Sequence, residues 1–67
     1  MTKNQLTRDI NATQVYLNDM YEMQAKSTDV AKRFWLHGEW LGNVDVYRVE
    51  RELKHMKADR AEMNIKK

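Results

Sequence analysis

The scarcity of residues that break regular structure is the feature that most limits how this chain can fold. Its 67 residues contain no proline and only two glycines, Gly38 and Gly42, which lie close together. An all-β protein needs turn residues about every 8–12 positions, and this chain does not supply them. Its many Lys, Glu, Arg, Met, Leu, Gln and Ala residues favour helices instead.

Two stretches of the chain carry apolar residues at the spacing of an amphipathic helix. The first stripe consists of Leu6, Ile10, Thr13, Leu17 and Met20. The second consists of Val46, Val49, Leu53, Met56, Arg60 and Met63. The segment Thr2–Gln5 has the form of a capping box and predicts the start of the first helix. Either Asp45 or Asn43 could cap the start of the last helix.

The apolar middle of the chain lies between these stripes. Residues 30–43 hold both tryptophans, the only phenylalanine and both glycines. Ser27, Thr28 and Asp29 are three good N-cap residues in succession and predict that a helix restarts there. Because no glycine or proline enforces that break, the alternative is one helix from about residue 3 to 37. The Gly42–Asn43 pair is a stronger turn signal and would lay the last helix antiparallel to what precedes it.

We therefore predict an all-α, single-domain protein with helices at about 3–26, 28–41 and 44–65. These would form an antiparallel helical hairpin or a three-helix arrangement. A chain of this length buries only about 60% of its unfolded surface, so the stripe edges would stay bare. The residues expected along those edges are Met20, Met23, Met56 and Met63. Self-association into a small bundle, with a dimer favoured, would cover them.

The aromatic side chains are the candidate partner-binding residues, because Trp and Tyr dominate the energetics of interfaces. Burial in the core is their commoner role. On a helix, Trp40 would lie roughly 140° around from Trp35, so one indole could close the core while the other met a partner. The candidate contacts are Trp35, Trp40, Tyr16, Tyr21 and Tyr47. The sequence thus predicts a small helical protein-interaction module: a regulator, adaptor or inhibitor, of a size class common among phage and mobile-element accessory proteins.

A nucleic-acid-binding protein is the alternative. The segment Thr28–Phe34 loosely resembles the first helix of a helix-turn-helix, with residues 44–55 as the recognition helix. It departs from that motif because a longer apolar segment, residues 35–41, replaces the usual short turn. The candidate nucleic-acid contacts are Arg48, Arg51, Lys54 and Lys57. The competing interpretation is a solvated helix face with internal ion pairs, since acids are interspersed and the net charge is only +2.

Catalytic residues, cofactors and metal sites are not expected. The chain has no phosphate-binding glycine loop, and a helical zinc pair needs ligands at i and i+4, whereas His37 and His55 lie in different segments. A helical protein this small rarely encloses the ~300 Å³ pocket of an enzyme. The absence of cysteine excludes disulfides and thiolate metal sites and suits the cytoplasm. No apolar run approaches the ~18 residues of a membrane span, so no membrane partner is expected.

Overall fold

In the computed structural model, which describes residues 2–65, two long helices lie antiparallel and a loop and short β-hairpin connect them. The elements are α1 (Lys3–Ala25), β1 (Phe34–Leu36), β2 (Glu39–Leu41) and α2 (Asn43–Ile65). Near the end of α1, Gln24 donates a 2.6 Å hydrogen bond to Asn43 at the start of α2. Near the other end of the molecule, Ile10 of α1 lies beside Lys57 of α2. The two long helices are therefore antiparallel, but a loop and a β-hairpin join them in place of the short turn or the third helix that was predicted.

The all-α prediction is wrong, because the predicted helix over residues 28–41 is a loop followed by a two-stranded antiparallel sheet. The paired residues are Phe34 with Leu41, Trp35 with Trp40, and Leu36 with Glu39. His37 and Gly38 have φ angles of 50° and 79°, which a two-residue type I′ hairpin turn requires. Gly38 would cost about 1 kcal/mol inside a helix, and neighbouring aromatic residues favour strands. A continuous helix from residue 3 to 37 is excluded because α1 ends at Ala25 and residues 34–36 form a strand.

The three polar residues that predicted a helix restart instead build the loop before β1. The Ser27 hydroxyl donates to the Arg33 carbonyl at 2.5 Å and accepts from the Asp29 amide at 3.2 Å. The Asp29 carboxylate accepts from the backbone N–H groups of Ala31 and Arg33, at 2.9 and 3.2 Å. Ser and Asp side chains satisfy loop backbone by the same chemistry that caps a helix, so their presence did not specify which structure forms.

Side-chain hydrogen bonds stabilise the start of each helix. The capping box of α1 is confirmed, because Thr2 and Gln5 each accept from the other's backbone N–H, at 3.1 and 3.0 Å. The predicted caps of α2 are wrong. Its first helical residue is Asn43, and the Asp45 carboxylate accepts from the Gly42 amide at 2.9 Å from inside the first turn. Gly42 thus immediately precedes the helix, with its carbonyl accepting from the backbone N–H groups of Asp45 and Val46. The chain reverses earlier, through the loop and hairpin.

The core follows the two predicted stripes and adds one residue from each strand. The buried side chains are Leu6, Ile10, Leu17, Met20, Phe34, Leu41, Val46 and Leu53. Met20 is completely buried, so its predicted position along a bare edge is wrong. It lies between Tyr16, which stacks on His37 of the hairpin turn, and Gln24, which contacts both the loop and α2. Met23 and Met56 are half-buried, and Met63 is exposed.

Candidate functional site

Two tryptophans lie side by side on the outer face of the hairpin. Because side chains alternate across a strand, the register that turns Phe34 and Leu41 into the core turns Trp35 and Trp40 outward. Their rings meet edge to face, with centroids 5.5 Å apart at an interplanar angle of 74°. They remain 50% and 67% exposed. The prediction that the indoles could occupy different surfaces was wrong, because it assumed a helix; neither closes the core.

An open groove adjoins this pair, and we call it the Trp groove. Its lining residues are Met23, Lys26, Ser27, Thr28, Asp29, Arg33, Phe34, Trp35 and Trp40. Its volume of about 400 Å³ falls within the usual range of ligand sites, about 300–1,000 Å³. The apolar side chains come from the end of α1 and from the hairpin, and the polar ones from the loop and Arg33. The groove therefore combines an apolar lining with polar groups around it.

The charges around the Trp groove are paired with one another. The Arg33 guanidinium contacts both oxygens of Asp29 through Nε and Nη2, at 3.2 and 3.1 Å. These hydrogen bonds, with that from the Arg33 backbone amide, lower the pKa of Asp29 from 3.8 to about 2. The carboxylate in turn raises the pKa of Arg33. Lys26 pairs with Glu22 at 3.2 Å. With its cations neutralised locally, the groove favours an uncharged, apolar group.

The backbone edges of the hairpin offer few free hydrogen-bonding groups to a partner strand. Around a two-residue turn, the antiparallel pattern places the N–H and C=O groups of Trp35 and Trp40 on the outer edges. The next outward-facing backbone groups, those of Arg33 and Gly42, already have hydrogen-bond partners. Residues 27–29 bind the backbone of Arg33, and the first turn of α2 binds that of Gly42. Edges this short resist strand addition, so the exposed part of the hairpin is the set of side chains on its outer face.

The three tyrosines predicted as partner contacts lie outside the Trp groove. Tyr16 is half-buried, and its ring stacks on His37 with centroids 5.9 Å apart. The Tyr21 hydroxyl donates to Glu50 at 2.7 Å and so links α1 to α2; this hydrogen bond, together with the carboxylate's charge, raises the pKa of Tyr21. Tyr47 is 65% exposed on α2. Only the two tryptophans of the predicted set are brought together.

Sequence reasoning missed the other side chains of the groove. Met23 was expected along a bare edge of the core. Phe34 was expected within the predicted helix over residues 28–41, and Asp29 was expected to be a helix cap. The four-residue spacing of Asp29 and Arg33 is also that of an ion pair on a helix, so it carried no signal for a loop. Only recognition of the His37–Gly38 turn would have indicated the site.

The predicted nucleic-acid contacts are exposed on α2, but not on one face. Arg48, Arg51 and Lys54 lie on the side away from the core, whereas Lys57 borders the contact between the helices. None of the four forms an ion pair within residues 2–65, so the internal pairing expected of a solvated face is not seen there. The resemblance to a helix-turn-helix is wrong, because residues 28–34 form no helix.

The remaining polar chemistry of the described chain is dispersed. His37 lies against Tyr16, and His55 is exposed on α2. No three His, Asp or Glu side chains of the described region are grouped as a metal site would require. Neither helix, over the residues described, has an apolar stretch long enough to cross a membrane. No protein-family model, curated protein or solved structure matches the chain.

Proposed function

We propose that this protein is a small protein-interaction module that holds an apolar side chain of a partner protein in the Trp groove. The observation that carries the proposal is the solvent-facing position of both tryptophans, which are 50% and 67% exposed. Trp residues bury about 150–250 Å² when covered. Covering the remaining indole surface, on the order of 100 Å² each, would contribute about 2–3 kcal/mol per tryptophan.

The groove's electrostatics support an apolar ligand group rather than a charged one. Arg33 and Asp29 neutralise each other at its polar side, and Lys26 is paired with Glu22. A charged ligand group would have to compete with these pairs, whereas an aliphatic or aromatic side chain would pack against Met23 and the indoles. The module would act by occupying its partner's surface, as a regulator, adaptor or inhibitor. A cytoplasmic location is part of the proposal and suits a chain without cysteine.

The test compares two exposed aromatic residues, one inside the groove and one outside it. Trp40→Ala should leave the far-UV circular dichroism of the two helices largely unchanged and abolish capture of a partner from host extract. Tyr47→Ala removes a ring of similar exposure from α2 and should leave capture intact. The proposal fails if Trp40→Ala captures the same partner as the parent chain. It also fails if that variant unfolds, since Trp40 would then be structural.

We also propose that the chain forms a homodimer. Its dimensions are 49 × 16 × 15 Å and its radius of gyration is 14.3 Å, whereas a compact chain of this length has about 11 Å. Far from the hairpin, only two helices meet, and the core narrows to Leu6, Ile10 and Leu53. A second copy packed along this end would widen that core. Light scattering at micromolar concentration should give the dimer mass; a stable monomer would refute it.

A further inference from the structure

A second surface, on the opposite side of α2 from the core, carries positive charge. Val46 and Leu53 mark the buried side of this helix, and at 3.6 residues per turn the opposite side can be read directly. Between residues 47 and 58 it consists of Tyr47, Arg48, Arg51, Lys54, His55 and Ala58, all exposed. We call it the basic face. Glu50 borders this face and shares a surface depression with Tyr47, Arg51 and Lys54, but its carboxylate accepts a hydrogen bond from Tyr21. Glu52 lies on the other flank.

We propose that the basic face binds single-stranded nucleic acid through its phosphates. Arg48, Arg51 and Lys54 follow one another at three-residue steps, about 4.5 Å apart along the axis. Their side chains have no ion-pair partner in the described part of the chain. A row of unneutralised cations is complementary to a phosphate backbone, and each phosphate contact releases a counterion. This site is separate from the Trp groove and independent of the partner proposed there.

The exposed ring at one end of the row favours a single strand over a duplex. Tyr47 is 65% exposed beside Arg48 and Arg51, and aromatic side chains next to cations are the stacking platforms on which unpaired bases rest. A flexible strand can follow this narrow row of charges. A rigid duplex laid along α2 would also approach the carboxylates of Glu52 and Asp59, which are exposed on the flank.

The proposal is tested with a fluorescently labelled oligothymidylate and the full chain, by anisotropy at low salt. Three phosphate contacts predict a salt slope of about −2, so a fourfold rise in salt should weaken binding by about 20-fold. Arg51→Gln should reduce the slope by about 0.7. Tyr47→Ala should weaken binding at least about fivefold. The control is Arg8→Gln, which removes the same charge from the exposed side of α1. It should change neither the affinity nor the salt slope strongly.

Several outcomes would overturn it. These are no binding at low salt, an equal loss with Arg8→Gln, tighter binding to a duplex of the same length, or equal competition by polyglutamate, which would indicate an acidic polypeptide as the ligand. Trp40→Ala should leave oligonucleotide binding unchanged. If it abolished binding, the strand would lie in the Trp groove and the basic face would have no role. Failure here leaves the protein-interaction proposal untouched, because that rests on capture by the Trp groove.

Discussion

At the scale of single residues, the hairpin depends on the left-handed backbone at Gly38. A Cβ added there would meet nothing within 4 Å, so any cost of Gly38→Ala is conformational rather than steric. Because L-residues disfavour that conformation, we expect the variant to lose about 1 kcal/mol of unfolding free energy in a urea titration. Gly42→Ser is the control: its Cβ would meet Arg33 Cγ at an ordinary 3.7 Å, and serine is a good N-cap. A larger loss at Gly42 would contradict this account.

Asp29 makes the loop sensitive to acid. Its folded pKa of about 2 lies below the 3.8 of the free side chain, so its ionised form stabilises the folded loop. That contribution is complete above about 3.8 and is lost as the pH falls towards 2. Since the pair is exposed to solvent, the effect is local rather than global. The amide NMR signals of Ala31 and Arg33, which donate to this carboxylate, should shift in this window with a midpoint at a pH of about 2.

The control for this titration is Arg33→Gln, which removes the guanidinium and should raise the pKa of Asp29. The loop signals should then respond at a higher pH than in the parent chain. If both proteins titrate at the same pH, the hydrogen bonds from Arg33 do not set the pKa of Asp29.

At the scale of elements, the helices could be predicted from the sequence and the hairpin could not. Each helix is 23 residues long, so its stripe repeats over several turns and fixes both its type and its buried side. The strands have three residues each, too few to show a two-residue period. The aromatic residues at 34, 35 and 40 favour strands, but three residues do not by themselves distinguish a strand from a helix face. The positive φ angles of His37 and Gly38 form the turn that makes this segment a hairpin.

The candidate site was predictable to the same limited extent. Trp35 and Trp40 were predicted as partner contacts from their chemistry alone. Their common surface depends on cross-strand pairing, which the prediction of a helix did not include. Tyr16 and Tyr21 were assigned to the same role. In the structure they contact His37 and Glu50, residues distant in sequence whose positions follow from the tertiary fold. The residue types indicated which side chains are candidates for partner contacts. The packing of the fold determines which of them are exposed and uncommitted.

The burial of Met20 leads to a prediction about how the elements pack together. Its side chain is completely buried in the part of α1 that packs beside the hairpin and the start of α2. Met20→Ala should therefore destabilise the protein by about 2–5 kcal/mol, enough to unfold much of a domain this small. Met63→Ala is the control at an exposed position and should cost little. Thermal unfolding followed by circular dichroism measures both variants; similar midpoints would mean that Met20 contributes little to the stability of the core.

At the scale of the whole molecule, the two ends differ in how many elements enclose the core. Near the hairpin, buried residues come from both helices and both strands, including Leu17, Phe34, Leu41 and Val46. Away from it, only the helices contribute, through Leu6, Ile10 and Leu53. Since local opening is easier where less apolar surface is buried, the hairpin end should be the stable part of the monomer.

Hydrogen exchange tests this difference and the proposed dimer together. At low protein concentration, amide protection should be highest around Leu17, Met20 and Val46 and should fall along each helix away from the hairpin. A second copy covering the far end would bind the folded chain and stabilise it by mass action. Protection beyond Leu53 should therefore rise with protein concentration, whereas protection near Met20 should change less.

A gradient in the opposite direction at low concentration would show that the hairpin does not complete the core. A gradient independent of concentration would place the dimer elsewhere or exclude it.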